Sequence, residues 1–311
     1  MKNIYEVQAA NRTKSAVVVV GFFVFFALVV WVLSSAMGYY FGYEPGGLGM
    51  VGIALILSGL MSLGGYYYSD KIVLSISNAK PADRSEHFDF YTSAENLAMA
   101  AGIPKPKLYV IDDSAPNAFA TGRNPDKAVV VATTGLLQKL DRTELEGVIA
   151  HELTHIKNYD TRLMAVVAVL VGTVALLADW FFRVSYFGGG RRSRDKESGG
   201  LAALFIVLGI VFAILSPIIA QLIQLAISRR REFMADAGSV AITRQPSGLM
   251  SALEKISSDH EPLEAANKAT AHLYIANPFK DKIGGAVGSF AKLFNTHPPV
   301  EERISELQKM M

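Results

Sequence analysis

Charge is missing from this chain in long blocks. No residue between Lys14 and Glu44 is charged, none between Glu44 and Asp70, and none from Ser198 through Ser228. A helix climbs about 1.5 Å per residue, so roughly 20 apolar residues cross the ~30 Å of bilayer hydrocarbon. The blocks predict transmembrane helices near 16–38, 48–68 and 201–228, and a further one near 163–183 that carries only Asp179 before Arg183. Composition agrees: 51% of the 311 residues are hydrophobic and 19% charged, against about a quarter charged in soluble domains.

Lys and Arg beside the spans set orientation. Lys2, Arg12 and Lys14 precede the first span, Lys71, Lys80 and Arg84 follow the second, Lys157 and Arg162 precede the third, and Arg229, Arg230 and Arg231 follow the fourth. The link between the first two spans carries only Glu44. This predicts cytoplasmic termini and a cytoplasmic segment 70–162. The basic loop 188–200 runs against the rule, so a hairpin that does not fully cross stays open for the last pair. The first apolar run exceeds a signal-peptide core, and it reads as an uncleaved anchor.

The expected organisation is an N-terminal helix pair (1–69), a first part of a cytoplasmic domain (70–162), a second hydrophobic pair (163–228) and the remainder of that domain (229–311). Within it, 88–101 reads as a helix ending at Gly102. Leu108–Ile111 and Lys127–Ala132 suit strands, with Asn117–Gly122 between them and a turn at 122–126. Asp141 or Thr143, with Glu144 or Glu146 three residues on, forms a capping box before the apolar stripe Leu145, Val148, Ile149, Leu153 and Ile156. Helices also fit 229–244, 247–258 and 299–310.

With no cysteine, disulfides, Cys-ligated zinc, iron–sulfur clusters and thiol catalysis are excluded. The net charge of +2 gives no reason to expect a nucleic-acid partner. His and carboxylates must therefore hold any metal. His151-Glu152-Leu153-Thr154-His155 lies on the capped helix. Four-residue spacing puts both imidazoles on one face, where they can share a tetrahedral metal. Glu152 is turned by about 100° and is placed to reach water at the metal instead. The third ligand should be His, Asp or Glu, and the best candidate is Glu232. Asp236, one turn later, can accept a hydrogen bond from the far nitrogen of a ligating His. His87, His260 and His272 have no partner at ligand spacing and read as surface or core residues.

These motifs, together with Asn117-Ala118-Phe119-Ala120-Thr121-Gly122, the late His297-Pro298-Pro299 followed by Arg303, and four hydrophobic spans, resemble the HtpX-type membrane zinc metallopeptidases over essentially the whole chain. Those are relatives of the CaaX prenyl endopeptidases with a gluzincin-like domain. The resemblance implies an α-helical integral membrane protein with an α+β zincin-like catalytic domain interrupted by a transmembrane helix pair. It implies one zinc per chain on His151, His155 and Glu232, with Glu152 as the catalytic glutamate and Asp236 behind the ligands. It makes Asn117, Ala118, Phe119, Ala120 and Thr121 an edge strand for extended substrate; the plainer reading is a hairpin strand. It sets His297 and Arg303 near the cleft as oxyanion partners; the plainer reading is a helix started by two prolines.

The implied reaction is zinc-dependent peptide hydrolysis at the cytoplasmic face of a prokaryotic plasma membrane. Misfolded or damaged membrane proteins, and unfolded chains, would be the substrates, as in membrane quality control and stress response. The lipid bilayer is the other expected partner. Two alternatives remain: a processing peptidase with a defined CaaX-like substrate, and a non-enzymatic scaffold or chaperone whose zinc takes a fourth protein ligand such as His297.

Overall fold

The computed structural model describes residues 4–41, 63–170, 229–266, 270–276 and 298–311, with positions 56, 59–60 and 278. Most of the 48–68 and 163–183 segments, all of 201–228 and the loop 188–200, and His297, lie outside the described residues. The expected 16–38 segment falls within one helix, α1 (Ile4–Phe41). Counted over the described residues, no helix is long and apolar enough to cross a membrane.

Four strands form the sheet: β1 (Lys80–Pro81), β2 (Lys107–Ile111), β3 (Ala118–Thr121) and β4 (Val129–Thr133). Their order is β1-β2-β4-β3, with β2 and β4 parallel and the outer pairs antiparallel. The turn joining β3 to β4 depends on Gly122, whose φ is +127° and where an added Cβ would lie 2.5 Å from the Lys127 carbonyl oxygen. Asn124 then caps a short 3₁₀ turn through its side chain, which accepts from Lys127 N. β1 went unforeseen, since two residues that include a proline carry no strand signal.

β4 reads Val-Val-Val-Ala-Thr and is buried throughout, as expected of a strand covered on both faces. Val130 and Ala132 face one cluster, together with Ala118, Ala120, Leu108 and Val110. Val129, Val131, Phe119 and Ile111 face the other. The first cluster is completed by α3 (Phe88–Ala101), α5 (Arg142–Lys157), α7 (Pro246–Ser258) and α8 (Val300–Gln308). The second takes Val18 of α1, Val73 and Leu74 of α2 (Ser69–Ile76), and Leu163, Met164, Val166, Val167 and Ala168 from the helical stretch 160–170. The sheet thus separates a helical layer that carries the site from a layer built by the hydrophobic segments. A short α4 (Thr134–Lys139) leads from β4 to α5.

The start of α5 is the expected capping box: the Asp141 side chain accepts from Glu144 N, and Glu144 accepts from Asp141 N, each at 2.9 Å. Glu144 also receives Lys255 (2.7 Å) and Ser251 (2.5 Å) from α7. That contact is possible because α7 passes close to Gly147, where an added Cβ would sit 2.6 Å from Leu249 N. The helix α6 (Arg229–Thr243) runs antiparallel along the next face of α5. Its register is visible in contacts: Ser239 Oγ donates to the Gly147 carbonyl, Asp236 meets His151, and Glu232 meets both histidines. The absence of a side chain at Gly238 lets α6 approach against Thr154.

Candidate metal centre

Every turn of α5 from Gly147 through Ile156 is buried, so the two imidazoles sit in the interior at 1% and 4% exposure. Each ring uses its Nδ1 on a carboxylate: His151 with Asp236 at 2.9 Å, His155 with Asp160 at 3.0 Å. A neutral imidazole with Nδ1–H donating keeps its lone pair on Nε2. The two Nε2 atoms point at one place, 3.1 Å apart. The carboxylate of Glu232 faces the same place, with oxygens 3.7 Å from His151 Nε2 and 3.6 Å from His155 Nε2.

Three electron-pair donors converge, with nothing but a cation to reconcile them. A tetrahedral ion at 2.0–2.1 Å from each ligand would separate the ligands by ~3.3 Å. The observed 3.1, 3.6 and 3.7 Å fit that shape. Among the described residues this is the one group whose ligand atoms cluster for a metal. Its donor set, two imidazoles and a carboxylate without sulfur, suits zinc and other borderline divalent ions.

Electrostatics give the same reading. Burial pulls His151 down to about 4, despite its bond to Asp236, with Arg303 and His155 adding to the depression. Burial also works against a charge on His155, but Asp160 and Glu232 outweigh it and lift the group to about 9. Glu152 is 3% exposed, and burial pushes it up to about 7. The backbone N–H of Ala120 donates to its carboxylate, which places Glu152 beside β3.

β3 is the sheet edge, but its outer side is partly occupied. Ile275 N donates to the Ala118 carbonyl at 2.9 Å, and Asn117 is clasped to Ala276 through its side chain. Arg303, expected near the cleft, is 1% exposed and grips Asp236 with two hydrogen bonds, Nε to Oδ2 at 2.9 Å and Nη2 to Oδ1 at 2.6 Å. Its Nη1 stands 3.9 Å from Glu232 Oε2. Asp236 is held well ionised: burial opposes its charge, but Arg303 and His151 more than compensate. His87 is half-buried and His260 exposed, and neither joins the cluster.

Sequence reasoning missed Asp160 and Asn11. Asp160 lies five residues after His155, a spacing that no continuous helix brings onto one face. The helix breaks at Tyr159, whose φ of +59° turns the chain back. Asn11 of α1, 2% exposed, donates to Asp160 Oδ1 at 2.7 Å and to the Asn158 carbonyl at 3.0 Å. Residues that orient a ligating histidine typically contribute 10–100-fold to metal affinity. We therefore expect Asp160→Asn to weaken divalent-metal binding by about that factor, read by competition with a chromophoric chelator. An unchanged affinity would remove Asp160 from the site.

The description "Peptidase family M48" matches residues 88–311. A "Protease HtpX homolog" of Thermoanaerobacter pseudethanolicus is 44% identical over 310 residues, covering 99% of this chain and 98% of that protein. A "Protease HtpX homolog" of Streptococcus gordonii is 40% identical over 308 residues, 99% of this chain and all of that protein. Among solved structures, Ste24p of S. mikatae aligns over 97% of this chain and 67% of its own, at 16% identity and a TM-score of 0.47.

Proposed function

Because the chain belongs to peptidase family M48 and is a metallopeptidase, we propose that its metal is a single zinc ion held by His151, His155 and Glu232, and that Glu152 is its general base. The observation that carries this reading is the convergence of three ligand atoms, from His151, His155 and Glu232, with Glu152 beside them. Bound there, zinc supplies a positive charge that acidifies water and polarises a scissile carbonyl. Glu152 accepts the proton of the attacking water and delivers it to the leaving amine. Asp160 and Asp236 hold both imidazoles in the tautomer that offers Nε2, and Arg303 keeps Asp236 ionised. An extended substrate would lie along β3, whose Ala120 amide already points to Glu152.

We place this site at the cytoplasmic face of a prokaryotic plasma membrane, with the segments 16–38, 48–68, 163–183 and 201–228 embedded in the bilayer. The supports are the uncharged blocks and the basic residues that flank them. A site opening there meets polypeptide that leaves the bilayer, so misfolded or damaged membrane proteins with exposed cytoplasmic segments are the proposed substrates. No structural feature favours a sequence-defined cleavage site.

The test uses the full-length chain in liposomes with its metal stripped by chelator, then restored with zinc, manganese or magnesium. A membrane protein with a destabilised cytoplasmic loop, its stable parent and an unfolded soluble protein are offered together. Zinc-restored cleavage of the destabilised protein, with the parent spared, is expected. Cleavage of the stable parent at an equal rate would defeat the quality-control assignment. Restoration by magnesium alone would defeat zinc.

A further inference from the structure

Away from the metal site, on the layer built by the hydrophobic segments, lies a groove of about 740 Å³. Its lining carries four cations: Lys71 of α2, Lys107 at the start of β2, and Arg123 and Lys127 from the turn between β3 and β4. The tight turn at Gly122 is what gathers the last two. Asp70 is the carboxylate in the lining, so four cations face one anion. Apart from Asp70, the rest of the lining is apolar or aromatic. Leu60 and Leu63 are 64% and 55% exposed, and Tyr67 and Tyr68 about as much. Leu60 and Leu63 belong to the uncharged block that ends at Asp70.

The cations are oriented by the aromatics. The Arg123 guanidinium lies over Tyr67, 4.5 Å from the ring centre, and Lys71 lies 5.3 Å from that of Tyr68. Stacking fixes the plane of the Arg123 fork, yet its buried Nη1 has no hydrogen-bond partner among the described residues. A guanidinium held in this way presents donors suited to a bidentate oxyanion. Nothing in the metal site uses it.

We propose that this groove binds one anionic phospholipid, its phosphate on Arg123, Lys107 and Lys127 and its acyl chains along Leu60 and Leu63. A soluble anion would satisfy the cations but leave the leucines in water, and an apolar peptide would leave the cations unpaired. A lipid with a charged headgroup meets both parts of the lining, and the tyrosines lie where such rings gather at a membrane surface. Basic residues at that depth gain from anionic lipid. The assignment rests on the reading of the chain as membrane-embedded.

The experiment is native mass spectrometry of the full-length chain in detergent. It is titrated with phosphatidylglycerol, with phosphatidylcholine of the same acyl chains, or with inorganic phosphate. The wild type should retain one phosphatidylglycerol at about tenfold lower concentration than phosphatidylcholine, and lose most of that preference in the triple variant Lys107→Gln/Arg123→Gln/Lys127→Gln. Melting temperature and metal content show whether the variant is folded; if it is not, Lys127→Glu, on an exposed side chain, replaces it. Equal retention of both lipids, or a folded variant with undiminished preference, overturns the proposal. Displacement of the lipid by millimolar phosphate assigns the groove to free anions and overturns it too. Failure of the membrane reading is seen separately, as release of the chain from membranes into buffer without detergent.

Discussion

Glu152→Gln should lower kcat/KM for an unfolded protein substrate by about 10³-fold while leaving the zinc content at one ion per chain. The amide keeps the shape of the side chain and its bond from the Ala120 amide but accepts no proton. Burial pushes the Glu152 carboxyl up to about 7 before any metal is bound, and a nearby divalent charge lowers it from there. The base works only when ionised. Activity must therefore fall as pH drops through the bound-state value, giving an acid limb below 7 that is absent from the residual rate of the Gln variant. Stopped assays across pH, with metal quantified in parallel, decide the matter. A variant that cuts within a few-fold of wild type, or one that loses its metal, would take Glu152 out of the base role.

Asp236→Ala should have the largest effect on stability. The carboxylate sits between Arg303 and His151, all three buried to about 1% exposure. Removing it strands a guanidinium in the interior and strips His151 of the acceptor that fixes its tautomer. Breaking one side of a buried ion pair costs about 3–5 kcal/mol. The Asp236→Ala/Arg303→Leu double variant removes the stranded charge as well. It should regain much of the lost stability, but not the metal affinity, since His151 remains unsupported. Equilibrium unfolding of the detergent-solubilised chain, apo and metal-loaded, separates the two effects. A single variant less than about 1 kcal/mol below wild type would show that the pair is not the buried tie described here.

The parts of the site readable in advance are those encoded within one helix. The four-residue spacing of His151 and His155, the capping box from Asp141 to Glu144, and the one-turn separation of Glu232 and Asp236 all follow from 3.6 residues per turn. The strands β2 and β4 and the turn between β3 and β4 were visible in runs of Val and in Gly122 to Asp126. What escaped was set by tertiary placement. Asp160 reaches His155 only because Tyr159 takes a left-handed conformation, which no residue-type signal announces for a tyrosine. Asn11 lies 149 positions from Asp160, beyond any periodicity. The motif drew attention to Arg303, but its geometry shows an anchor for Asp236. The occupation of β3 by Ile275 had no sequence signature at all.

The centre is stitched from opposite ends of the chain. Its outermost support, Asn11, is made well before the two imidazoles, and Glu232, Asp236 and Arg303 are made after them. A nascent chain that stops short of Glu232 holds at most two of the three donors, and an imidazole pair without its carboxylate is a poor trap for a divalent ion. Peptide-cutting power is thus withheld until Glu232 has been made. A protease that would otherwise mature among half-made neighbours stays inert while it is itself half made.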